Sequence, residues 1–526
     1  MKKVFIFAAI AAIGLVACNR SENELETSQT KNDVKLTQSE IDVLCTMRNG
    51  ESNRVSLDEA TKIAKDVIGF LDGETSTKSG NSRQIASITT LKSEKQSEVM
   101  TKSVGNDDAG VEMPDTLAYL FNFADSAGYT IIAADTRVSP VLCYTGIGTL
   151  GDTINNPGIA IFLEGAEYYI ERSIAEAEAA KDSLLNDILA KLAETGISDT
   201  TYITHDNTDT KSVIDKPLLP DQPTSSIPDE IRVQHSYGPW IVYESVGPLL
   251  PIEWGQGSPY NESVKNKNCS TGTAPTGCVA TATAQIMAYW SYPLVIDGYS
   301  FDWNLIRQYT SVPNRYNGVG TKNIIFNSPE ANNVRNQIAR LMERIGVHIG
   351  MDYTCKESGA WPDDAVAFLK GLGFKSDLAG SSVFDILKSD MIKNSLDHGR
   401  PVIASGYSEK SEFLGISFLY SLSHGHTWVI DGYLKRKQED HATVTVTSYK
   451  PQPNGMIMIV TTTTNEIYTA YSPYYLHNNW GWDSYHNGYF VAGSFNSNQV
   501  DLPSNTKSSE PYNYQYGIEI YPFIYR

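Results

Sequence analysis

The sequence predicts an α+β protein in which a linker joins two folded parts. In the second part, residues 245–526, helical patterns precede a series of short strands, an order typical of α+β domains built on an antiparallel sheet. The first part, residues 41–196, contains two helical patterns and several apolar strands, which predicts a smaller α+β domain. Residues 197–244 are rich in Thr, Asp, Ser and Pro, so we expect an exposed linker that contains a maturation cleavage site.

Composition and charge narrow the functional classes. The chain has 526 residues, of which 41% are hydrophobic and 20% are charged, as in ordinary globular proteins. Its net charge of −19 argues against a nucleic-acid partner, which would favour a basic face. The six cysteines form neither a Cys-x-x-Cys pair nor a metal-ligand spacing, so we expect no metal and no other cofactor.

The N-terminus predicts export and a lipid anchor. Two lysines precede the uncharged run Val4–Ala17, which is a signal peptide too short for an ordinary membrane span. The run ends in Leu-Val-Ala-Cys18, which resembles a bacterial lipobox, whose cysteine is lipidated; the alternative is an ordinary signal peptide with a chance cysteine. The residue after Cys18 is Asn19 and not Asp, so the resemblance to a lipobox points to the outer rather than the inner membrane. Residues 18–40 are polar and charged and predict a flexible tether. With Cys18 assigned, five cysteines remain, so at least one thiol is free unless a bond forms between chains.

Local signals predict the elements of the first part. Ser56 and Glu59 form a capping box, and an apolar helical face follows them. Residues 72–110 are polar and predict a mobile loop, and a long helix is expected between Pro157 and Gly196. The apolar runs predict strands at Leu117–Phe123, Tyr129–Ala134 and Val138–Tyr144.

A candidate nucleophile begins a helix in the second part. In Thr276–Met287, a glycine turn leads directly into an apolar helical pattern, and Cys278 lies in its first turn. Unpaired backbone N–H groups and the helix dipole favour a thiolate there, and the thiolate is the nucleophile. Cys269 is a weaker rival, because no apolar helix follows it.

Three further residues complete the chemistry that a cysteine nucleophile needs. His426 starts an apolar strand and could serve as the base. Asn479 could fix the imidazole through its amide oxygen, and Gln256 could bind a developing oxyanion beside the Cys278 N–H. Each residue could instead have a purely structural role. His426 could be an ordinary histidine at the start of a strand, Asn479 part of a Trp-rich sheet end, and Gln256 a glutamine in a turn. Their order along the chain, Gln, Cys, His and Asn, favours the catalytic one.

Helical spacing and apolar alternation predict the other elements of the second part. Helices are expected at Glu330–Gly346 and Asp363–Gly371. Thr461–Thr464 is expected at a hairpin tip. Strands are expected at Pro401–Ala404, Thr427–Ile430, Thr443–Thr447, Met456–Val460, Tyr475–Asn479, Tyr489–Ala492 and Gly517–Tyr521.

Several segments together resemble the streptopain family of bacterial cysteine peptidases. They are Trp254–Asn261, Thr276–Met287, Gly425–Gly432 and Asn479–Phe490. The resemblance implies a papain-like catalytic domain, with the nucleophile helix packed on an antiparallel sheet, and an inhibitory prodomain before it. The first part is similar to that prodomain at Tyr119–Asn122, Gly128–Asp135 and Pro140–Tyr144. The chain departs from the family at residues 436–472, which are much longer than in streptopain.

The resemblance also implies a role for each site residue. Cys278 attacks the scissile carbonyl, and His426 protonates the leaving amine and then activates water. Gln256 and the Cys278 amide hold the oxyanion, while Asn479 and Trp480 share the orientation of His426.

We therefore expect a secreted, lipid-anchored zymogen of a cysteine endopeptidase that is activated by prodomain removal. Its partners would be protein or peptide substrates, its own prodomain and, through Cys18, a membrane. Because the anchor lies on the part that is cut away, maturation would release the catalytic domain unless the halves stay associated. The alternatives are a non-catalytic adhesin on the same fold and a thiol amidase or acyltransferase with the same dyad.

Overall fold

The computed structural model describes residues 37, 40, 53–74, 82–92, 114–194, 200–205, 229–311, 328–375, 381–382, 386–406, 412–413, 416–418, 425–451, 457–495, 518–522 and 524–526. The predicted signal peptide, Cys18 and all but two residues of the predicted tether lie outside this part of the chain. Within it, no helix is both long and apolar enough to cross a membrane.

The N-terminal domain contains two helices and an antiparallel sheet, as predicted. The capping box forms, because the Ser56 N–H donates to the Glu59 carboxylate at 2.8 Å and the Glu59 N–H to the Ser56 hydroxyl at 3.2 Å. The elements are α1 (Leu57–Glu74), β1 (Ile85–Lys92), β2 (Thr116–Phe123), β3 (Tyr129–Ala133), β4 (Val141–Thr145), β5 (Thr153–Ile154) and α2 (Pro157–Glu194).

One strand of this domain was missed. The prediction of a loop throughout 72–110 is wrong at β1, which pairs antiparallel with β2. Most of its side chains are exposed or half-buried, so the strand lacks the apolar alternation that identifies strands in a sequence.

The described parts of the predicted linker form strands. They are β6 (Thr200–His205), β7 (Asp229–Tyr237) and β8 (Ile241–Val246), and residues 206–228 lie outside the described chain. Both β7 and β8 pair with a long strand of the C-terminal domain, and β6 pairs with β7. The segment therefore joins the sheet on both sides of the undescribed stretch.

The C-terminal domain has the predicted order of helices followed by sheet. Its helices are α3 (Cys278–Trp290), α4 (Trp303–Thr310), α5 (Pro329–His348), α6 (Pro362–Gly371) and α7 (Ile386–Asp397). Its strands are β9 (Val295–Ile296), β10 (Tyr299–Ser300), β11 (Asp352–Tyr353), β12 (Ser358–Gly359), β13 (Ser381–Ser382), β14 (Val402–Gly406), β15 (Glu412–Phe413), β16 (Ile416–Phe418), β17 (His426–Pro451), β18 (Ile457–Tyr471), β19 (Tyr475–Asn479), β20 (Gly488–Val491) and β21 (Glu519–Tyr521).

A single sheet runs through both domains. Its strand order is β1-β2-β3-β4-β20-β19-β17-β14-β21-β13, and β4 of the N-terminal domain pairs antiparallel with β20 of the C-terminal domain. The nucleophile helix α3 packs against β17 of this sheet, which confirms the predicted α+β layout.

The long hairpin of β17 and β18 accounts for the extra length of residues 436–472. Pro451 pairs with Ile457, and residues 452–456 between them lie outside the described residues. The prediction that Thr461–Thr464 forms the tip is wrong, because these residues lie within β18 opposite Val444–Thr447. Threonine is β-branched and favours strands, whereas 451–455 has the Pro, Asn and Gly of a turn.

Candidate active site

A glycine turn fixes the start of the nucleophile helix. Gly277 has a φ of 85° and caps α3 immediately before Cys278. A methyl group at Gly277 would lie 2.7 Å from Met351 Sδ and 2.8 Å from the Ser358 carbonyl oxygen. The positive φ and this close packing both require glycine, so the position of the thiol depends on the turn.

Burial decides the protonation state of the thiol. The pKa of Cys278 is raised by burial, and backbone and side-chain hydrogen bonds from Thr427 and the N–H groups of Val279 and Cys278 act in the opposite direction. The N–H groups at the helix start therefore favour a thiolate, as predicted, but desolvation of the half-buried sulfur outweighs their effect on its pKa.

The base candidate is buried beside three tryptophans. His426 begins β17, and its ring lies 6.1, 6.4 and 5.9 Å from the rings of Trp428, Trp480 and Trp482. Its Nε2 is 2.9 Å from the Trp480 carbonyl oxygen. Because a carbonyl can only accept, Nε2 carries the hydrogen and Nδ1 keeps its lone pair. Burial lowers the pKa of His426 to about 4, so the imidazole is neutral at physiological pH.

The Asn479 side chain does not orient His426 in this form. Its amide nitrogen donates to the Ile252 carbonyl at 2.9 Å, and its oxygen accepts from the Gly481 N–H at 3.3 Å. The main-chain carbonyl of Trp480 makes the contact that the sequence assigned to the amide. Asn479 instead holds the Trp480 segment against residue 252.

The segment of Gln256 is joined to the nucleophile turn. The Gln256 carbonyl accepts from the Thr276 N–H at 3.0 Å, two residues before Cys278. Two residues earlier, the Trp254 N–H donates to Gln285 of α3 at 3.0 Å. Gln256 itself is half-buried. The fold thus brings the predicted oxyanion residue to the base of the nucleophile helix.

Sequence reasoning missed Thr427 and one buried hydrogen bond between a histidine and an aspartate. Thr427 follows His426 on β17 and contributes the hydrogen bonds to the thiol, and its only signal was adjacency to the base. Behind the site, His477 Nδ1 lies 2.6 Å from Asp431 and joins β19 to β17.

The hydrogen bonds among the described residues do not include one between Cys278 and His426.

The N-terminal domain covers the Trp480 segment. Gly158 at the start of α2 lies so close to the Trp480 indole that any side chain there would overlap the ring. The rings of Phe162 and Phe490 lie 4.7 Å apart. Thr153 and Ile154 of β5 pair with Ser417 and Phe418 of β16, in the segment before His426. Residues 145–162 therefore lie over the elements that hold the base.

Comparisons with known proteins agree with this arrangement. Residues 254–490 match the model of the Peptidase C10 family, and residues 52–170 match that of the Spi protease inhibitor. The chain carries a peptidase domain of the streptopain family. Streptopain of Streptococcus pyogenes is 26% identical over 344 residues, which are 61% of this chain and 70% of streptopain. The C-terminal domain is thus a cysteine-type endopeptidase domain, and the N-terminal domain is an inhibitor-like prodomain.

Two solved structures are also similar to the chain. A prointerpain A fragment of Prevotella intermedia has a TM-score of 0.43 and 18% identity, and the match covers 79% of this chain and 98% of the fragment. Active interpain A of the same organism has a TM-score of 0.30 and 26% identity, and the match covers 48% of this chain and 90% of that one.

The rival thiol takes no part in the peptidase chemistry. Cys269 forms a disulfide with Cys355, so it has no free thiol. Among the described residues the free cysteines are Cys143 and Cys278. Burial raises the pKa of Cys143, which lies in the prodomain core.

The peptidase contributes a second buried histidine to the prodomain interface. The ring of His486 lies 5.7 Å from that of Tyr129 in the prodomain, and its Nδ1 would lie 3.3 Å from a methyl group at Gly148. Nδ1 is buried without a hydrogen-bond partner among the described residues. Burial lowers the pKa of His486 to about 4.

We predict that Gly277→Ala inactivates the peptidase. The added methyl group overlaps Met351 and Ser358 and strains a positive φ, so Cys278 and its N–H move. Since a displacement of about 1 Å can cost about 100-fold in rate, kcat/KM should fall by about that factor. Gly257→Ala is the matched control, because a methyl group there meets open space. Equal activity of the two variants would contradict the prediction.

We predict that acid destabilises the covered form. Burial keeps His426 and His486 neutral until about pH 4, whereas an exposed imidazole takes up its proton near pH 6.5. The stabilisation is therefore complete above pH 6.5 and is lost as pH falls towards 4, by on the order of 3 kcal/mol per histidine. Urea unfolding of the full Cys278→Ala chain at about pH 7.5 and about pH 4.5 measures the loss.

A second substitution isolates the contribution of His486. In the same background, His486→Gln should reduce the acid-induced loss by on the order of 2–3 kcal/mol. His441→Gln, at an exposed position of β17, should leave the loss unchanged. An equally steep loss in both variants would show that His486 does not couple the interface to pH.

Proposed function

We propose that the chain is an exported, lipid-anchored zymogen whose peptidase acts through Cys278 and His426. The observation that supports the zymogen part of this proposal most directly is the contact of residues 145–162 with the Trp480 segment, beneath which His426 is buried and neutral. In the uncovered enzyme, His426 Nδ1 takes the thiol proton and Cys278 Sγ attacks the scissile carbonyl. His426 returns that proton to the leaving amine, and water then hydrolyses the thioester with His426 as base.

The remaining site residues have supporting roles in this proposal. The Cys278 N–H and the Gln256 side chain donate to the oxyanion that forms on the substrate carbonyl. Trp480 fixes the imidazole through its carbonyl, and Asn479 holds the segment that carries Trp480. Gly277 and Thr427 position the sulfur between the helix and β17.

The same geometry supports a latent state. Solvation of the uncovered pair allows Cys278 and His426 to form a thiolate and an imidazolium, which stabilise each other. Under the prodomain neither ion forms at neutral pH. Removal of the prodomain therefore changes the charge state of the nucleophile as well as access to it.

Anchoring through Cys18 makes the cleavage a release step. The Leu-Val-Ala-Cys18 motif and Asn19 support a lipid anchor in the outer membrane. A cut in residues 197–244 separates the anchor from the peptidase. The sheet pairing of β4 with β20 opposes that separation, so release requires the prodomain to dissociate or to be degraded.

Membrane fractionation tests the anchor and the release together. In cells that express the wild-type chain, we expect the full chain in membranes and the peptidase domain in the soluble fraction. Cys278→Ala should leave the whole chain in membranes, and Cys18→Ala should move the full chain to the soluble fraction. Equal amounts of soluble peptidase domain from the wild type and Cys278→Ala would rule out self-release. Membrane-bound Cys18→Ala would rule out the lipid anchor.

A further inference from the structure

The Cys269–Cys355 disulfide lies next to the nucleophile turn. It joins two segments separated by 86 residues, and the nucleophile helix lies between them in sequence. Cys355 occupies the turn between β11 and β12, and we call residues 351–359 the disulfide hairpin. Met351 and Ser358, at the two ends of this hairpin, are the residues that contact Gly277. The disulfide thus reaches the turn before Cys278 through one set of intervening residues, Met351 and Ser358.

The other half of the disulfide belongs to the loop that leads into the same turn. Cys269 is buried with Val264 and Ala274, and Tyr353 of the disulfide hairpin packs against this cluster. The Ala274 N–H donates to the Val264 carbonyl at 3.1 Å, and Asn261 donates to the Ala274 carbonyl at 3.0 Å. Ala274 precedes Cys278 by four residues, so the loop and the hairpin contact opposite ends of one short segment.

Among the described residues, the disulfide hairpin is anchored to α5 by the Met351 N–H, which donates to the Gly346 carbonyl at 2.8 Å, but it has few contacts with the loop of Cys269. Its ladder has two residue pairs, Asp352 with Gly359 and Tyr353 with Ser358. A two-stranded ladder of this length is unstable by itself in water. The amide of Asn266 reaches the Tyr353 carbonyl at 3.5 Å, the outer limit of a hydrogen bond. Tyr353 also packs against Gly346 of α5. The covalent bond is therefore the strongest link between the hairpin and the loop.

We propose that the Cys269–Cys355 disulfide is a positioning element for catalysis. It holds the disulfide hairpin against Gly277, and so it fixes the Cys278 sulfur and N–H relative to His426 and to the oxyanion. This inference rests on the proposed role of Cys278. It gives the enzyme two cysteine requirements of opposite redox state, because Cys278 must be reduced while Cys269 and Cys355 must be oxidised.

A dithiol reductant can reach this disulfide. Cys355 is exposed, whereas Cys269 is 7% exposed. A thiolate of dithiothreitol attacks the Cys355 sulfur, forms a mixed disulfide and displaces Cys269 as a thiolate, which solvent protonates. The second thiol of the reagent then closes its own ring, releases Cys355 as a thiol and leaves oxidised dithiothreitol. Reduction thereby frees the hairpin without altering the Cys278 thiol.

The test compares kinetic constants of enzyme that has been expressed as the full chain and then processed. In Cys269→Ala/Cys355→Ala, kcat per inhibitor-titrated site should fall by about 10–100-fold while KM changes less than about threefold, because the geometry of the reacting groups is what changes. Cys143→Ala removes a buried cysteine from the prodomain of the full chain, so it controls for the effect of cysteine loss on folding and maturation and should yield enzyme with the wild-type kcat. A double variant with wild-type kcat, or with only KM raised, overturns the proposal.

Chemical reduction keeps the test decisive if the double variant does not fold. Wild-type enzyme activated with a low concentration of a monothiol should lose activity, to the level of the double variant, when dithiothreitol reduces Cys269–Cys355. Mass spectrometry of alkylated peptides confirms that this bond is open. Full activity with the bond open overturns the proposal. Activity retained by Cys278→Ala would instead refute the proposed nucleophile, so the two failures are distinguishable.

Discussion

The burial of His426 beside the half-buried thiol of Cys278 is the constraint on which the rest of the structure depends. An isolated charge is costly in a buried site, so a buried thiol and a buried imidazole both remain neutral. Burial raises the pKa of Cys278 and lowers that of His426 to about 4. The N–H groups at the start of α3 favour ionisation of the sulfur, and the prodomain packs on the Trp480 segment that holds the buried imidazole.

The prodomain achieves this by extending the sheet of the peptidase. The pairing of β4 with β20 joins the prodomain strands to the strand that follows Trp480 in sequence. The long helix α2 then packs against the 3₁₀ turn Ala492–Phe495 and places Gly158 on the indole of Trp480. The contacts thus concentrate on the segment whose carbonyl holds His426. A prodomain built in this way restrains the base rather than only obstructing the cleft.

Local chemistry made the nucleophile helix, the capping box and most helix bounds predictable from the sequence. A glycine turn before an apolar helix is a local signal, and Cys278 lies where it indicated. The strands β1, β6, β7 and β8 were missed because their sequences lack a clear apolar alternation and their pairing partners lie elsewhere in the fold. The hydrogen bond between His426 and the Trp480 main-chain carbonyl could not be predicted from the residue pattern either. A main-chain carbonyl leaves no mark in the sequence, whereas the neighbouring Asn479 side chain suggests a hydrogen bond that it makes elsewhere.

The rate at which Cys278 is alkylated, measured against pH, tests the central claim most directly. Iodoacetamide labelling of intact full chain and of processed peptidase domain, quantified on the Cys278 peptide, reports the thiolate fraction in each. We expect slow labelling of the full chain across neutral pH. Labelling of the processed domain should be fast, and it should persist to pH values well below the pKa of an ordinary thiol. Equal rates and equal pH profiles in the two forms would contradict it.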